Sequence, residues 1–189
     1  MAAPYLIVIG GSAGGLQPVL TLLPALSNSL NAAIIIVLHR QNHNASVLPE
    51  LLAAKTSLVV KEAAEKETLE AGTIYIAPAD YHLLIESDHT LSLDDSEKVN
   101  FSRPSIDVTF STAAAAYKEK ITAILLSGAN ADGVDGLMDV EDAGGTIAVQ
   151  EPSTAEVDYM PKQALEQIRV THILRPQEMA SFINRVAGV

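Results

Sequence analysis

Cysteine is absent from the 189-residue sequence, which excludes disulfides and thiolate–metal sites. Basic residues are scarce: 12 Lys and Arg stand against 23 Asp and Glu, a formal net charge of −11. A broad negative field disfavours non-specific binding to nucleic acid and to anionic membrane surfaces, and no Lys/Arg cluster offers a local exception. Long apolar runs are missing as well. The longest, Ala32 to Leu38, falls far short of the roughly 20 residues needed to cross a bilayer. No basic stretch followed by an apolar run and cleavage site marks a secretory signal. No repeat, low-complexity linker or clear domain boundary interrupts the chain. The expectation is a soluble, cytoplasmic protein with no membrane insertion and no nucleic-acid partner.

Hydrophobic residues make up 48% of the chain, enough for one compact domain over residues 1–189 with a sizeable core. Strand-like and helix-like segments alternate. Tyr5–Ile9 and Ala33–Leu38 are short aliphatic runs of buried-strand type. Leu16–Leu26 puts Leu16, Val19, Leu20, Leu23 and Leu26 on one helical face. A helix is expected over Ser46–Ala54, and strands over Leu58–Glu62 and Thr73–Ala77. Leu83–Glu86 and Thr90–Leu93, separated by Ser87-Asp88-His89, predict a small hairpin. Then follow a helix Ser105–Tyr117, a strand Ile121–Leu126, a helix Gly133–Ala143, a strand Thr146–Gln150, short helices around Pro161 within Ser153–Ile168, and a final helix Pro176–Val186. Alternating elements with nearly all-apolar strands predict an α/β fold, a mostly parallel sheet with helices on both faces.

In such sheets sites form at the carboxyl ends of strands. Three reactive residues fall there: Ser12, His39 and Asp132. Ser12 lies in Gly10-Gly11-Ser12-Ala13-Gly14-Gly15, which satisfies G-x-S-x-G, the pattern of a serine on a sharp strand-to-helix turn. A serine hydroxyl needs a base to become a nucleophile, and imidazole titrates in the useful range. His39 is the candidate base, and Asp132 the candidate carboxylate that orients it. Each has a plainer reading: Ser12 as a helix cap, His39 as an ordinary strand-end residue, Asp132 as the N-cap of the helix after Gly133. The order Ser, His, Asp differs from the Ser, Asp, His order of α/β-hydrolases. A dinucleotide site fits poorly, because the second strand ends in His39-Arg40 with no carboxylate for a ribose. His39 and His43 have zinc-helix spacing but lack the glutamate of H-E-x-x-H, so no metal is expected.

Several segments together resemble the catalytic domain of the chemotaxis receptor methylesterases, protein-glutamate methylesterases that also deamidate glutamine. They are Val8-Ile9-Gly10-Gly11-Ser12-Ala13-Gly14-Gly15, His39 after its strand, Gly72-Thr73-Ile74-Tyr75-Ile76-Ala77-Pro78 with Tyr81-His82-Leu83-Leu84, Ser102-Arg103-Pro104-Ser105-Ile106-Asp107, Leu126-Ser127-Gly128-Ala129-Asn130-Ala131-Asp132-Gly133, and Met160-Pro161. The resemblance spans nearly the whole chain. It implies a doubly wound, mainly parallel sheet with an antiparallel hairpin, the nucleophile at Ser12, the base at His39 and the carboxylate at Asp132. It also implies oxyanion donors at the backbone N–H groups near Ala13 and Ala129, no cofactor, and a methylated receptor or other protein as substrate.

Two departures stand out. The family typically carries a receiver domain before the catalytic one, whereas the catalytic segment here begins near residue 4, so any receiver is expected to act in trans. The family's Gly-Met-Gly-x-Asp-Gly loop reads Gly128-Ala129-Asn130-Ala131-Asp132-Gly133. Arg103 is expected either to orient a substrate group or to pair with Asp107 or another acid. His82 is expected to pack or hydrogen bond, and Met160-Pro161 to close a loop near the site. The competing functions are a serine esterase or amidase of the same fold with another substrate, and a non-enzymatic scaffold.

Overall fold

A computed structural model describes residues 1–40 and 47–189. Seven strands form one sheet: β1 (Tyr5–Gly11), β2 (Ala32–Leu38), β3 (Val59–Glu62), β4 (Thr73–Ile76), β7 (Ile121–Leu125), β8 (Thr146–Gln150) and β9 (His172–Leu174). Their order across the sheet is β3-β4-β2-β1-β7-β8-β9, and every pairing is parallel. The hairpin β5 (His82–Ile85) and β6 (Leu91–Asp94) stands apart as a two-stranded antiparallel sheet. The helices are α1 (Leu16–Leu22), α2 (Leu48–Ala53), α3 (Ile106–Tyr117), α4 (Val134–Asp142), α5 (Tyr159–Gln167) and α6 (Pro176–Val186).

The aliphatic runs become central strands because strand side chains alternate between faces and both faces are covered. Leu6 and Val8 of β1 join one core with Phe110 of α3, Leu137 of α4 and Met160 of α5. Ile7 and Ile9 join the other core with Val19 of α1, Leu52 of α2 and Phe182 of α6. Ile34, Ile35 and Ile36 are all buried to within 1%. Burial of each such side chain contributes on the order of 2 kcal/mol.

Three elements differ from the sequence reading. The helix expected over Leu16–Leu26 ends at Leu22 and continues as a 3-10 turn, Leu23–Ala25. Pro24 explains the change, since it lacks the N–H a longer α-helix would use and crowds the preceding turn. Pro161 does not divide α5. It sits in the first turn, where backbone N–H groups have no intrahelical acceptor, so its missing donor costs nothing. Strand β9 went unseen, because three residues at a half-exposed sheet edge carry no apolar run. Of the helix expected over Ser46–Ala54, residue Ser46 lies outside the described residues.

Strand order reverses direction between β1 and β7, so the crevice at their carboxyl ends is the switch point where α/β sheets bind ligands. The ladder runs on past the strands there: Leu126 N–H donates to Gly10 (2.8 Å), Ser12 N–H to Ser127 (2.9 Å) and His39 N–H to Gly11 (3.1 Å). Residues 12, 39 and 127 are thereby laced together by backbone.

At the opposite end of α3, Tyr117 stacks on His89 with ring centroids 4.0 Å apart. Its hydroxyl is buried and meets no hydrogen-bond partner among the described residues. Burial pushes its pKa up to about 12. A buried hydroxyl without a partner carries its desolvation cost unrelieved. Tyr117→Phe is therefore expected to hold or raise stability by about 1 kcal/mol. A urea midpoint falling below wild type would contradict it.

Candidate active site

Ser12 stands just past β1, and the turn around it has no spare room. Gly14 has φ +78°, and a Cβ there would lie 2.6 Å from Cβ of Glu156 and 2.7 Å from Oγ of Ser127. Only glycine fits both the backbone and the space. Ser127 secures the loop from the far side, donating to the Ala13 carbonyl (2.7 Å) and accepting from Val157 N–H (2.9 Å). Helix α1 has no side-chain cap, so Ser12 is not spent as one. Its hydroxyl bonds to no described residue, although the backbone carbonyl accepts from Gly15 N–H at 2.9 Å.

His39 follows β2, and its Nε2 lies 2.6 Å from Oδ2 of Asp132. The histidine side chain is 12% exposed and the aspartate fully buried. A buried carboxylate survives only with dense hydrogen bonding. Asp132 has it. Oδ2 also accepts Ile106 N–H (2.6 Å), while Oδ1 accepts Ser105 Oγ (2.8 Å), Asn100 Nδ2 (3.0 Å) and Asp107 N–H (3.1 Å). Burial alone would push its pKa up, but bonds from His39, Asn100 and Ile106 outweigh that and hold it below the usual carboxylate range.

The sequence reading allowed Asp132 to be the cap of the helix that follows it. The structure corrects this. Asp132 caps α3 across space, binding Ile106 and Asp107 N–H, while Asp107 in the first turn of α3 caps α4 through Gly133 N–H (2.9 Å) and Gly136 N–H (2.7 Å). The reason is the path of the loop: Gly133 takes φ +100°, which carries Asp132 out of line with α4. Asn100 bridges the two carboxylates, donating to Asp107 Oδ2 at 2.6 Å as well as to Asp132. Burial is the main cause that raises Asp107 to about 6. The Gly136 N–H opposes it and the Asp132 charge adds to it.

With Nε2–H directed at Asp132, the other ring nitrogen of His39 is the acceptor. Ser102 Oγ approaches that Nδ1 at 3.4 Å. Ser12 and His39 share a cleft of about 190 Å³ whose other walls are Leu16, Leu38, Arg40 and Leu48. No hydrogen bond joins Ser12 directly to His39, whose Nδ1 meets Ser102 Oγ instead. Arg40 donates to the Ala77 carbonyl at 2.9 Å and lies 3.8 Å from Glu62. Burial draws its pKa down and Glu62 partly restores it.

The backbone N–H groups of Ala13 and Ala129 donate to no described residue. The second belongs to a loop held by Gly128 N–H to Val157 (3.0 Å) and Met160 N–H to Gly128 (3.0 Å). Met160 is fully buried against Gly128, so it closes this loop as expected. Arg103 does not pair with Asp107. Its Nη1 donates to the carbonyls of Asp95 and Ser96, both at 2.8 Å, because Asp107 is engaged by Asn100 and the α4 amides. His82 is structural: Nε2 donates to Glu97 (2.8 Å) and Nδ1 accepts Ser105 N–H (3.1 Å). His43 lies outside the described residues. Among the described residues no helix is long and apolar enough to cross a membrane.

Asn100, Ser102, Ser105 and Asp107 were missed as site residues. Pro104-Ser105 marked a helix start, and helix starts attract carboxylates. Nothing in the sequence alone points to Asn100.

A family model described as CheB methylesterase matches residues 7–183. A Leptospira interrogans protein whose name carries the protein-glutamate methylesterase and protein-glutamine glutaminase activities is 42% identical over 180 residues, 95% of this chain and 93% of its own length. The protein-glutamate methylesterase/protein-glutamine glutaminase of Thermotoga maritima is 34% identical over 172 residues, 89% of this chain and 50% of its own length, so the chain spans half of that relative. The crystal structure of the Thermotoga maritima CheB methylesterase catalytic domain matches with a TM-score of 0.93 and 32% identity, covering 96% of this chain and 98% of that one.

Proposed function

Because the chain belongs to the CheB methylesterase family, whose members hydrolyse glutamate γ-methyl esters on proteins, we propose that Ser12, His39 and Asp132 carry that reaction here, within one catalytic domain. Ser12 Oγ attacks the ester carbonyl as His39 Nδ1 takes its proton. Asp132 holds Nε2–H and stabilises the imidazolium. The tetrahedral oxyanion is held by the N–H groups of Ala13 and Ala129, each such donor contributing about 3–4 kcal/mol where well placed. The C–O bond to the leaving group breaks, His39 returns its proton, and methanol departs. Water then attacks the acyl-serine by the same route, freeing glutamate and Ser12. Glutamine deamidation uses the same groups with ammonia leaving.

The observation that carries this reading is the 2.6 Å His39–Asp132 contact beside a cleft that Ser12 and His39 share at the sheet's switch point. The reading takes a methylated receptor as substrate, the cytoplasm as compartment, and a receiver protein acting in trans as regulator. A fluorophosphonate probe should label Ser12, and methylated receptor membranes should release methanol. Absence of labelling would favour a scaffold. Turnover of small esters without methanol from receptors would favour an esterase of another pathway.

A further inference from the structure

Phe101 stands 98% exposed, while no other large hydrophobic among the described residues exceeds 59% apart from the N-terminal methionine. It also occupies a conformation that an aromatic residue avoids, with φ +61°. The cause is a two-residue turn. Val99 and Ser102 exchange backbone hydrogen bonds at 3.1 and 2.9 Å, and both residues between them have positive φ. Such turns favour Asn at the first position and Gly at the second. Asn100 suits the first. Phe101 at the second gains nothing from the fold, since it packs against little and strains the backbone.

The turn is tied to the chemistry on both sides of that ring. Asn100 reaches inward to Asp107 and Asp132, and Ser102 lies 3.4 Å from His39 Nδ1. Each is the covalent neighbour of Phe101, about 3.8 Å away along the backbone. Residue 101 therefore stands on a turn whose two flanking side chains reach His39 and Asp132, and its own ring projects into solvent beside them. An exposed aromatic on an anchored backbone has only two side-chain torsions to order, so it binds at low entropic cost, and aromatic residues are enriched at the centres of protein interfaces.

We propose that Phe101 is a specificity-determining contact for protein substrates: it packs on the apolar side-chain surface that flanks the reacting glutamyl ester. This rests on the methylesterase reading and names what that site touches beyond the ester. A small free ester brings no flanking surface to this turn and gains nothing from the ring. The strain at residue 101 is then retained for a contact made only in the complex.

The test compares kcat/KM on methylated receptor membranes and on a small glutamate γ-methyl ester. Phe101→Ala should lose tenfold or more on the receptor, mainly through KM, and stay within about twofold on the small ester, while Phe101→Trp keeps receptor activity. Phe101→Gly should show the same selective loss yet a higher Tm, because glycine accepts the positive φ. Full receptor activity in the Ala and Gly variants would overturn the proposal, as would parallel losses on both substrates. Wild-type enzyme that cleaves the small ester but releases no methanol from receptors would overturn the receptor reading itself, and this proposal with it.

Discussion

Ser12→Ala should lower kcat for methanol release by about 10^4- to 10^6-fold, and His39→Ala by a similar amount. The Ser12→Ala/His39→Ala double variant should be little slower than either single one, because a nucleophile without its base and a base without its nucleophile are equally idle. The structure adds a prediction about stability. The Ser12 hydroxyl bonds to no described residue and caps no helix, and the turn around it is shaped by Gly14 and by backbone bonds. Removing the hydroxyl should leave the denaturation midpoint unchanged. A fully folded Ser12→Ala enzyme retaining a tenth of wild-type turnover would end the nucleophile assignment. Multiplicative losses in the double variant would show that the two side chains do not act as a unit.

The sheet was legible because its strands are written in consecutive Val, Ile and Leu. Covered on both faces, β1 beyond Tyr5 and the whole of β2 hold no polar side chain, so Ser12 and His39 stand just past their carboxyl ends, while Asp132 follows in the loop beyond β7. Strand β9 carried no such signal, with only Ile173 and Leu174 at a half-exposed edge. Boundaries slipped where proline chemistry is positional: Pro24 ends an α-helix from within, while Pro161 is harmless in a first turn. The support of the site was harder to read. Asp132 looks like a local cap because Gly133 and a helix follow it, yet its partners come from residues 39, 100 and 105–107. Capping by a residue distant in sequence leaves no spacing to detect. Asn100 is the extreme case, an unremarked amide that becomes the bridge between two buried carboxylates only once the turn at Val99–Ser102 is in place.

Asp132→Asn should therefore do two things that Ser12→Ala does not do together: lower kcat by about 10^4-fold and destabilise the fold by about 2–4 kcal/mol. Apart from the adjustable His39 and Ser105, every group facing the carboxylate is an N–H donor; Oδ1 faces Asn100, Ser105 and Asp107 N–H, while Oδ2 faces His39 and Ile106 N–H. An amide has one oxygen, so its NH2 must meet donors on one side. Turned toward His39, it forces the imidazole to present Nε2 as acceptor and to carry its proton on Nδ1, the atom needed as base, and it leaves Ile106 N–H unpaired. Turned toward Asn100, it strips the α3 cap at Asp107 N–H and obliges the Asn100 amide to flip, which sets its oxygen against Asp107 Oδ2. Either choice leaves a buried donor or acceptor unmatched, the costly direction of hydrogen-bond loss. Urea denaturation and methanol release measured on the same preparation decide the matter. A variant as stable as wild type, slowed only a few-fold, would mean that the buried carboxylate neither anchors α3 nor sets the tautomer of His39.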